Sequence, residues 1–167
     1  MAILKILQYP DDRLHIVATT VKQVTDSTLK LIKDMAETMY AAPGIGLAAT
    51  QVDQHLRIII VDTSEKNDNL LAFINPEIIS YSGESECEEG CLSVPGIYEK
   101  VRRAERITVK AINLKGDAFS LEAEGLLAVC IQHEMDHLLG KVFVEYLSPL
   151  KQTRIRAKIK KRIRETM

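Results

Sequence analysis

The stretch "QHEMDHLLG", residues 132–140, contains two of the four histidines in this 167-residue chain. His133 and His137 are four residues apart, and Glu134 directly follows the first. From Gly125 onward there is no proline and no internal glycine until Gly140, which stands where a helix C-cap is expected. Since residues i and i+4 share a helix face, both imidazoles can point to one metal ion. The stretch therefore predicts a metal-binding helix around which the fold is organised.

The segments around this helix predict short strands and two further helices. Residues 24–44, "VTDSTLKLIKDMAETMYAAPG", have capping candidates at 25–27 and apolar positions at helical spacing, namely Leu29, Ile32, Ala36 and Met39. β-Branched residues dominate "LRIIIVD" and "LLAFINPEII", and "RITVKAINLKGDAFSLEAEG" predicts a hairpin turning at residues 115–117. "KVFVEYL", residues 141–147, predicts a last strand. The order predicts an α+β fold, with antiparallel β-strands packed around a central metal-binding helix and with N-terminal and C-terminal helices.

Composition limits the class of protein. Hydrophobic residues make up 46% and charged residues 27%, which is typical of a globular chain and argues against disorder. No apolar run approaches the roughly 18 residues of a membrane span, and the N-terminus lacks a signal-peptide pattern, so we expect a cytoplasmic protein that does not bind membranes. Three cysteines are an odd number, which argues against a disulfide framework.

The C-terminus carries a concentrated positive charge. Residues 151–167 contain eight Lys and Arg and one acidic residue, whereas the net charge of the whole chain is -1. Ile155, Ile159 and Ile163 form one apolar stripe on this basic helix. We expect residues 1–149 to form a catalytic metallohydrolase domain, and residues 150–167 to form a basic C-terminal helix of the same domain.

A third metal ligand is needed to distinguish a metal site from two ordinary histidines. H-E-x-x-H is the arrangement of zinc hydrolases, in which the glutamate is the general base toward water. Zinc peptidases with a longer motif have a third histidine downstream, but that position is Phe143 here. Upstream, "ECEEGCLSVPG" offers Cys91 in a glycine-flanked loop, which would give a Cys-His-His site with an open fourth position.

A structural site is the alternative. Cys87 and Cys91 could close a Cys2His2 site with the two histidines and only stabilise the fold, although this leaves Glu134 without a task.

The glycine-containing segment "GIGLAATQV", residues 44–52, follows the first helix. Its glycines would let a substrate or a strand approach the backbone, although a helix C-cap and a turn explain them equally well. Gln51 ends the segment with an uncharged amide, which is the kind of donor that binds a developing oxyanion.

Three motifs together resemble the signature of bacterial peptide deformylases. They are "GIGLAATQ" at 44–51, "EGCLS" at 89–93 and "QHEMDHLLG" at 132–140, and the resemblance covers essentially the whole chain. It implies hydrolysis of the N-formyl group from the N-terminal formylmethionine of nascent peptides, with release of formate. The alternatives are a ribosome-associated binding protein with a structural Cys2His2 metal site and a zinc-type endopeptidase.

The resemblance also implies the cofactor and the catalytic residues. One divalent metal ion per chain would be held by Cys91, His133 and His137, with Fe(II) in the cell and Zn(II), Ni(II) or Co(II) as substitutes. The ligand set alone would favour Zn(II). Glu134 would transfer protons, and the Gln51 amide and the Leu92 backbone N–H would bind the oxyanion.

The remaining expectations concern the substrate and other partners. The methionine side chain would bind in an apolar slot, and Arg103 would pair with Glu89. The C-terminal helix would bind the ribosome, DNA would not be a partner, and a monomer is expected. The expected substrate-binding residues are Ile45, Gly46, Glu89, Gly90, Tyr98, Leu126, Val129 and Cys130.

Overall fold

The structure, a computed structural model, describes residues 3–166, and their side chains up to residue 161. It has an α+β fold, as predicted. The three α-helices are α1 (Asp26–Ala41), α2 (Gly125–Leu138) and α3 (Pro149–Thr166). The strands are β1 (Gly46–Ala48), β2 (Ile58–Val61), β3 (Leu71–Ser82), β4 (Ser85–Cys91), β5 (Val94–Arg103), β6 (Arg106–Ile112) and β7 (Ala118–Glu124). Short 3-10 helices cover Asp12–His15, Ala49–Val52 and Phe143–Tyr146.

An antiparallel five-stranded sheet, ordered β1-β2-β3-β6-β7, lies between α1 and α2. Strand β2 has four fully buried residues because both of its faces are covered. Ile59 and Val61 pack in one cluster with Ile131 of α2, and Ile60 packs in another with Met35 of α1. This two-sided burial explains why the strand is a continuous apolar run without alternation. The central position of α2 in the prediction is confirmed.

Helix α1 begins and ends close to the predicted positions. Thr25 is the N-cap, and its hydroxyl and that of Thr28 form a reciprocal capping box. The helix ends at Ala41, before Pro43. The buried face of α1 differs from the predicted apolar stripe. Leu29, which was in the predicted stripe, is 38% exposed, whereas Met35, which was not, is fully buried.

The predicted hairpin is confirmed as β6 and β7. Its connection is stabilised by Asn113, whose side-chain oxygen accepts hydrogen bonds from the backbone N–H groups of Lys115 and Asp117. Gly116 adopts a positive φ of 86°, which a residue without Cβ reaches at little cost.

Two local predictions are wrong. The predicted strand "KVFVEYL" is instead the 3-10 helix Phe143–Tyr146, in which Phe143 and Val144 are buried. Phe143 and Val144 both pack in one hydrophobic cluster, whereas successive residues of a strand would point to opposite faces. The glycine-containing segment 44–52 is also not a simple loop, because it includes β1 and the 3-10 helix Ala49–Val52.

Cys91 does not lie in a flexible loop as predicted. It ends β4, which pairs with β5 as a separate two-stranded hairpin, and Cys91 is opposite Val94 across a two-residue turn. Strand β4 has three glutamates and no β-branched residue, so its sequence lacked the usual strand signal. The apolar residues of the hairpin, Val94, Ile97 and Val101, pack in a third cluster.

Helix α3 packs on that third cluster through Ile155, which is 5% exposed, with Ile159 beside it. The side chain of Ile163, the third residue of the predicted stripe, lies outside the described residues. No helix among residues 3–166 combines the length and apolar character needed to cross a membrane.

Candidate metal centre and its cleft

The predicted ligands Cys91, His133 and His137 meet beneath the sheet. One potential ligand atom from each lies within 4.8 Å of the others, and Cys91 Sγ is 3.4 Å from His137 Nε2. In tetrahedral coordination, sulfur at about 2.3 Å and nitrogen at about 2.1 Å from an ion lie roughly 3.6 Å apart. The spacing therefore fits a metal ion held by one thiolate and two imidazoles. Helix α2 provides both histidines, and the β4–β5 turn brings the cysteine to them.

Burial also fits a metal site. His137 is fully buried, and Glu134 Oε1, which lies 3.9 Å from His137 Nε2, has no hydrogen-bond partner among the described residues. Polar atoms left without partners in a protein interior are costly, so they commonly mark a site that a ligand completes.

His133 is oriented by an ion pair behind it. Its Nδ1 lies 2.8 Å from Glu89 Oε1, and Arg103 donates to both Glu89 oxygens at 2.8 and 2.9 Å. Burial raises the pKa of Glu89, but the hydrogen bonds from Arg103 and His133 outweigh burial and lower it to about 2. Because Glu89 stays ionised, it accepts a hydrogen bond from the Nδ1–H of His133. Nε2 of His133 then carries no proton and is the atom able to bind a metal ion. The predicted Arg103–Glu89 pair is present.

The pKa values of the other ionisable groups at the site are shifted in different directions. Burial raises the pKa of Glu134 to about 7, against the opposing charge of His133. Burial lowers the pKa of His133, but Glu134 and Cys91 raise it well above its usual value. Burial and the charge of His133 hold the pKa of His137 well below its usual value. The buried Glu134 carboxyl therefore holds its proton more tightly than a carboxyl in water does.

Gln51 is fixed at both ends of its amide. Its Oε1 accepts from the Ala48 backbone N–H at 2.9 Å, which determines which end of the amide is oxygen. Its Nε2 then donates to Ser93 Oγ at 3.0 Å and approaches Cys91 Sγ at 3.4 Å. The amide N–H is thus held beside the candidate metal ligands, where an oxyanion donor is needed.

A cleft of about 730 Å³ opens onto this centre. Tyr98 and Leu126 are more than half exposed at its rim, whereas Val129 and Cys130 are buried at its base. His137 is the one predicted site residue that does not line it. The predicted residues that do are Ile45, Gly46, Gln51, Glu89, Gly90, Cys91, Leu92, Tyr98, Leu126, Val129, Cys130, His133 and Glu134.

The other two cysteines differ from Cys91. Cys87 lines the cleft but is not in the group of candidate ligands among the described residues, so a closed Cys2His2 site is not supported. Burial and the charge of Glu134 raise the pKa of Cys130 to about 12, which leaves it an unreactive thiol in an apolar wall.

Two glycines allow close approaches at the site. A Cβ on Gly46 would collide with the Glu134 carboxylate, and a Cβ on Gly90 would collide with the Tyr98 ring. Gly46 thus leaves space for Glu134 next to β1, which gives this glycine a steric role.

Sequence reasoning missed the N-terminal segment. The backbone N–H of Leu7 donates to the Gln51 carbonyl, and that of Tyr9 donates to the Ser93 carbonyl, both at 2.7 Å. This segment therefore links the 3-10 helix Ala49–Val52, which contains Gln51, to the β4–β5 turn, which contains Ser93. Ser93 was also missed, although its place in "EGCLS" next to Cys91 was a possible signal.

Comparison with known proteins identifies the family. Residues 3–153 match the family model of polypeptide deformylase. The chain is 65% identical to peptide deformylase 2 of Nitrosomonas europaea over 164 residues, covering 98% of this chain and 89% of that protein. It is 60% identical over 167 residues to peptide deformylase of Neisseria meningitidis, covering all of both chains.

Solved structures agree. The crystal structure of a peptide deformylase from Legionella pneumophila is 49% identical, with a TM-score of 0.94 over 99% of this chain and 98% of that one. The enzyme from Ehrlichia chaffeensis in complex with actinonin is 40% identical, with a TM-score of 0.93 over 97% and 98%. This chain belongs to the polypeptide deformylase family.

Proposed function

We infer that this chain hydrolyses the N-formyl group from the N-terminal formylmethionine of nascent peptides and releases formate. It is a metal-dependent hydrolase of the deformylase family. The observation that carries this function is the group formed by Cys91, His133 and His137, with the Glu134 carboxyl buried beside it.

We propose that these three residues hold one divalent ion. When bound, the ion supplies Lewis-acid polarisation of the formyl carbonyl and activates water at neutral pH. The Cys91 thiolate and the two neutral imidazoles together carry one negative charge. With a bound dication, the site would therefore have a net charge of one positive unit. The hydrogen bond from His133 to Glu89 keeps that imidazole in the tautomer that a ligand needs.

Glu134 is proposed as the group that moves protons. Its carboxylate accepts a proton from the attacking water, and the same oxygen returns it to the nitrogen of the departing peptide. Burial raises the pKa of Glu134 to about 7, and a bound dication would lower this pKa again. A carboxyl group balanced between these two effects can both take up and release a proton.

Two donors are proposed for the negative charge that develops on the formyl oxygen. One is Gln51 Nε2, which Ala48 and Ser93 hold in orientation. The other is the backbone N–H of Leu92, which lies in the turn that follows Cys91. Both donors sit on chain that is fixed before substrate binds, and preorganised donors are the effective ones.

The cleft supports a position for the methionine side chain. Val129 and Cys130 form a buried apolar wall one turn before His133, with Leu126 and Ile45 nearer the rim. Gly46 and Gly90 line the cleft, and their backbone N–H and C=O groups are proposed to hydrogen-bond an extended substrate. Glu89 is proposed to orient His133 and the β4–β5 turn, because both of its oxygens are occupied by Arg103 and His133.

Substitution at Glu134 tests the function. Glu134→Ala should retain one metal ion per chain and lose formate release from a formyl-Met peptide, because it removes the base and keeps the ligands. Cys87→Ser is the matched control and should retain both metal and activity. Loss of the metal in Cys87→Ser would favour the structural Cys2His2 site, and cleavage of unformylated peptides by the wild type would favour an endopeptidase.

Fe(II) is proposed as the ion in the cell, with Zn(II), Ni(II) or Co(II) as substitutes. Anaerobic purification followed by metal analysis should find iron at one equivalent, and exposure to peroxide should reduce activity because iron–thiolate centres are oxidised. Zinc in the anaerobic protein, with activity unaffected by peroxide, would reject this assignment.

We further propose that the protein is a cytoplasmic monomer that approaches the ribosome through α3. The basic side chains of α3 that the structure describes are all exposed, which suits binding to RNA phosphates. Replacing Arg154, Lys158 and Lys161 with Gln should weaken co-sedimentation with ribosomes at low salt and leave turnover of a short formyl peptide unchanged. Equal co-sedimentation of the two proteins would reject this surface.

A further inference from the structure

A chain of contacts continues from His133 to Tyr146 of the 3-10 helix Phe143–Tyr146. Arg103 uses its Nε and Nη2 atoms for Glu89, and its remaining edge, through Nη1, donates to Asp136. Tyr146 then donates its hydroxyl to the same Asp136 oxygen, Oδ2, at 2.8 Å. The sequence of contacts is therefore Tyr146, Asp136, Arg103, Glu89 and His133, and it crosses from the 3-10 helix through α2 to the hairpin.

The geometry of Arg103 makes this connection rigid. A guanidinium is planar and presents its donors in a fixed fork, so two carboxylates on different edges prevent it from rotating. Arg103 is only 8% exposed, and its guanidinium carbon lies 5.1 Å from the centroid of the Tyr146 ring, which covers one of its faces. The position of this guanidinium therefore determines the orientation of the Glu89 carboxylate, which in turn orients the ring of His133.

Asp136 and Tyr146 lie outside the substrate cleft. They line a separate groove of about 710 Å³ that shares no lining residue with the cleft, and Tyr146 is 50% exposed there. Burial and the hydrogen bond to Asp136 raise the pKa of Tyr146 to about 12, so the phenol remains a donor at neutral pH. Neither residue touches the reacting atoms, so any effect on the reaction must pass through Arg103.

We propose that Asp136 and Tyr146 are positioning residues that lock Arg103 against Glu89 and thereby hold His133 in the orientation needed to bind the metal ion. The proposal rests on the ligand role proposed above for His133. It gives Asp136, which lies between the two histidines of "HEMDH", a task other than helix formation.

Tyr146→Phe is the informative variant. It removes the hydroxyl that anchors Asp136 and keeps a ring over Arg103, and the half-exposed site accepts this change without repacking. Tyr81→Phe is the matched control, because Tyr81 lines the same groove, is 65% exposed and has no hydrogen-bond partner for its hydroxyl among the described residues. Asp136→Asn is a second, stronger variant that weakens the contact with Arg103 directly.

Three quantities should be measured on each zinc-loaded protein: the rate of zinc release to excess EDTA, kcat and KM for a formyl-Met peptide, and the melting temperature of the metal-free form. Partners behind a metal ligand typically change affinity or activity by about 10- to 100-fold. We expect zinc release from Asp136→Asn to be about 10-fold faster, at the lower end of that range because it acts through Arg103. Release from Tyr146→Phe should be about 3-fold faster, below that range, because Tyr146 reaches Arg103 through Asp136. The value of kcat should fall while KM stays unchanged.

The outcomes separate the proposals. A lower melting temperature with wild-type zinc release and kcat would show that Asp136 and Tyr146 only stabilise the fold, and would overturn the inference. If Asp136→Asn does not fold, Tyr146→Phe alone decides the question by the same criterion. A wild-type protein that binds no zinc or releases no formate would instead overturn the proposed function itself.

Discussion

Gln51 has an amide whose two ends have different tasks. The oxygen end is tied to the Ala48 backbone, so the nitrogen end faces Ser93 and Cys91. Because the residue is 1% exposed, water does not compete for the donor. A donor held in this way stabilises a developing oxyanion without first having to reorient.

Gln51→Ala should therefore reduce kcat by roughly 10²- to 10³-fold, the usual effect of removing one oxyanion donor. The metal content should stay at the wild-type level, since no ligand changes. Formate release from a formyl-Met peptide measures the effect, with Gln54→Ala as control because Gln54 is exposed on the same segment. A reduction below about 3-fold, well under that range, would assign the charge stabilisation to other groups.

The metal site depends on two elements with different sequence signals. Helix α2 was predictable, because the spacing of His133 and His137 and the C-terminal Gly140 are local features. The β4–β5 hairpin was not predicted, since its strands are largely polar and its apolar residues become buried in a cluster with the N-terminal segment, α3 and the 3-10 helix Phe143–Tyr146. Cys91 could thus be proposed as a ligand from the sequence around it. Its position at the end of strand β4 could not be predicted.

Strand β2 is tied to α1 by a carboxylate at its end. Asp62 accepts from the Tyr40 hydroxyl at 2.5 Å, from Ser64 Oγ at 2.5 Å and from the Ser64 backbone at 2.9 Å. Burial raises the pKa of Asp62, but the hydrogen bonds from Ser64 and Tyr40 outweigh it and lower the pKa below the ordinary value of 3.8. Folding therefore favours the ionised form of this group.

The difference between the folded and the ordinary pKa of Asp62 predicts that the stability of the protein depends on pH. Since the folded pKa of Asp62 is depressed, its contribution is present above pH 3.8 and is lost as the pH falls through the folded value. Asp62→Asn should lower the free energy of unfolding at pH 7 by about 1–3 kcal/mol, because buried donors lose their acceptor. The loss should shrink toward pH 3.

Urea unfolding between pH 7 and pH 3 measures this change. Asp117→Asn is the control, because Asp117 is exposed in the β6–β7 turn and its carboxylate has no partner among the described residues. A constant difference between wild type and Asp62→Asn across this range would contradict the prediction.

The N-terminal segment and helix α3 pack together in one hydrophobic cluster. Ile155 of α3 packs with Leu7 and Tyr9 of the N-terminal segment and with Phe143. That N-terminal segment in turn donates hydrogen bonds to the Gln51 and Ser93 carbonyls. Helix α3 therefore packs on the segment that contacts Gln51 and Ser93, and its membership of the same domain stays a prediction.

Ile155→Ala should consequently destabilise the whole domain by about 2–4 kcal/mol, the usual cost of truncating a buried isoleucine. Thermal or urea unfolding measures this effect. Leu150→Ala on the same helix should change stability by less than about 0.5 kcal/mol, because Leu150 is 62% exposed. A wild-type free energy of unfolding for Ile155→Ala would show that α3 packs weakly.

From its sequence alone, this chain could be assigned an α+β fold, four of its strands, both ends of α1 and the metal-binding helix with its two histidines, because each follows from the residue pattern within one segment. The choice of Cys91 over Cys87, the orientation of Gln51 by Ala48 and Ser93, and the path from Tyr146 to His133 depend on residues far apart in the chain. Such contacts follow from how the hairpin, the sheet and α2 pack against each other. Hydrogen bonds act over about 3 Å, so only the packed molecule brings their partners within reach.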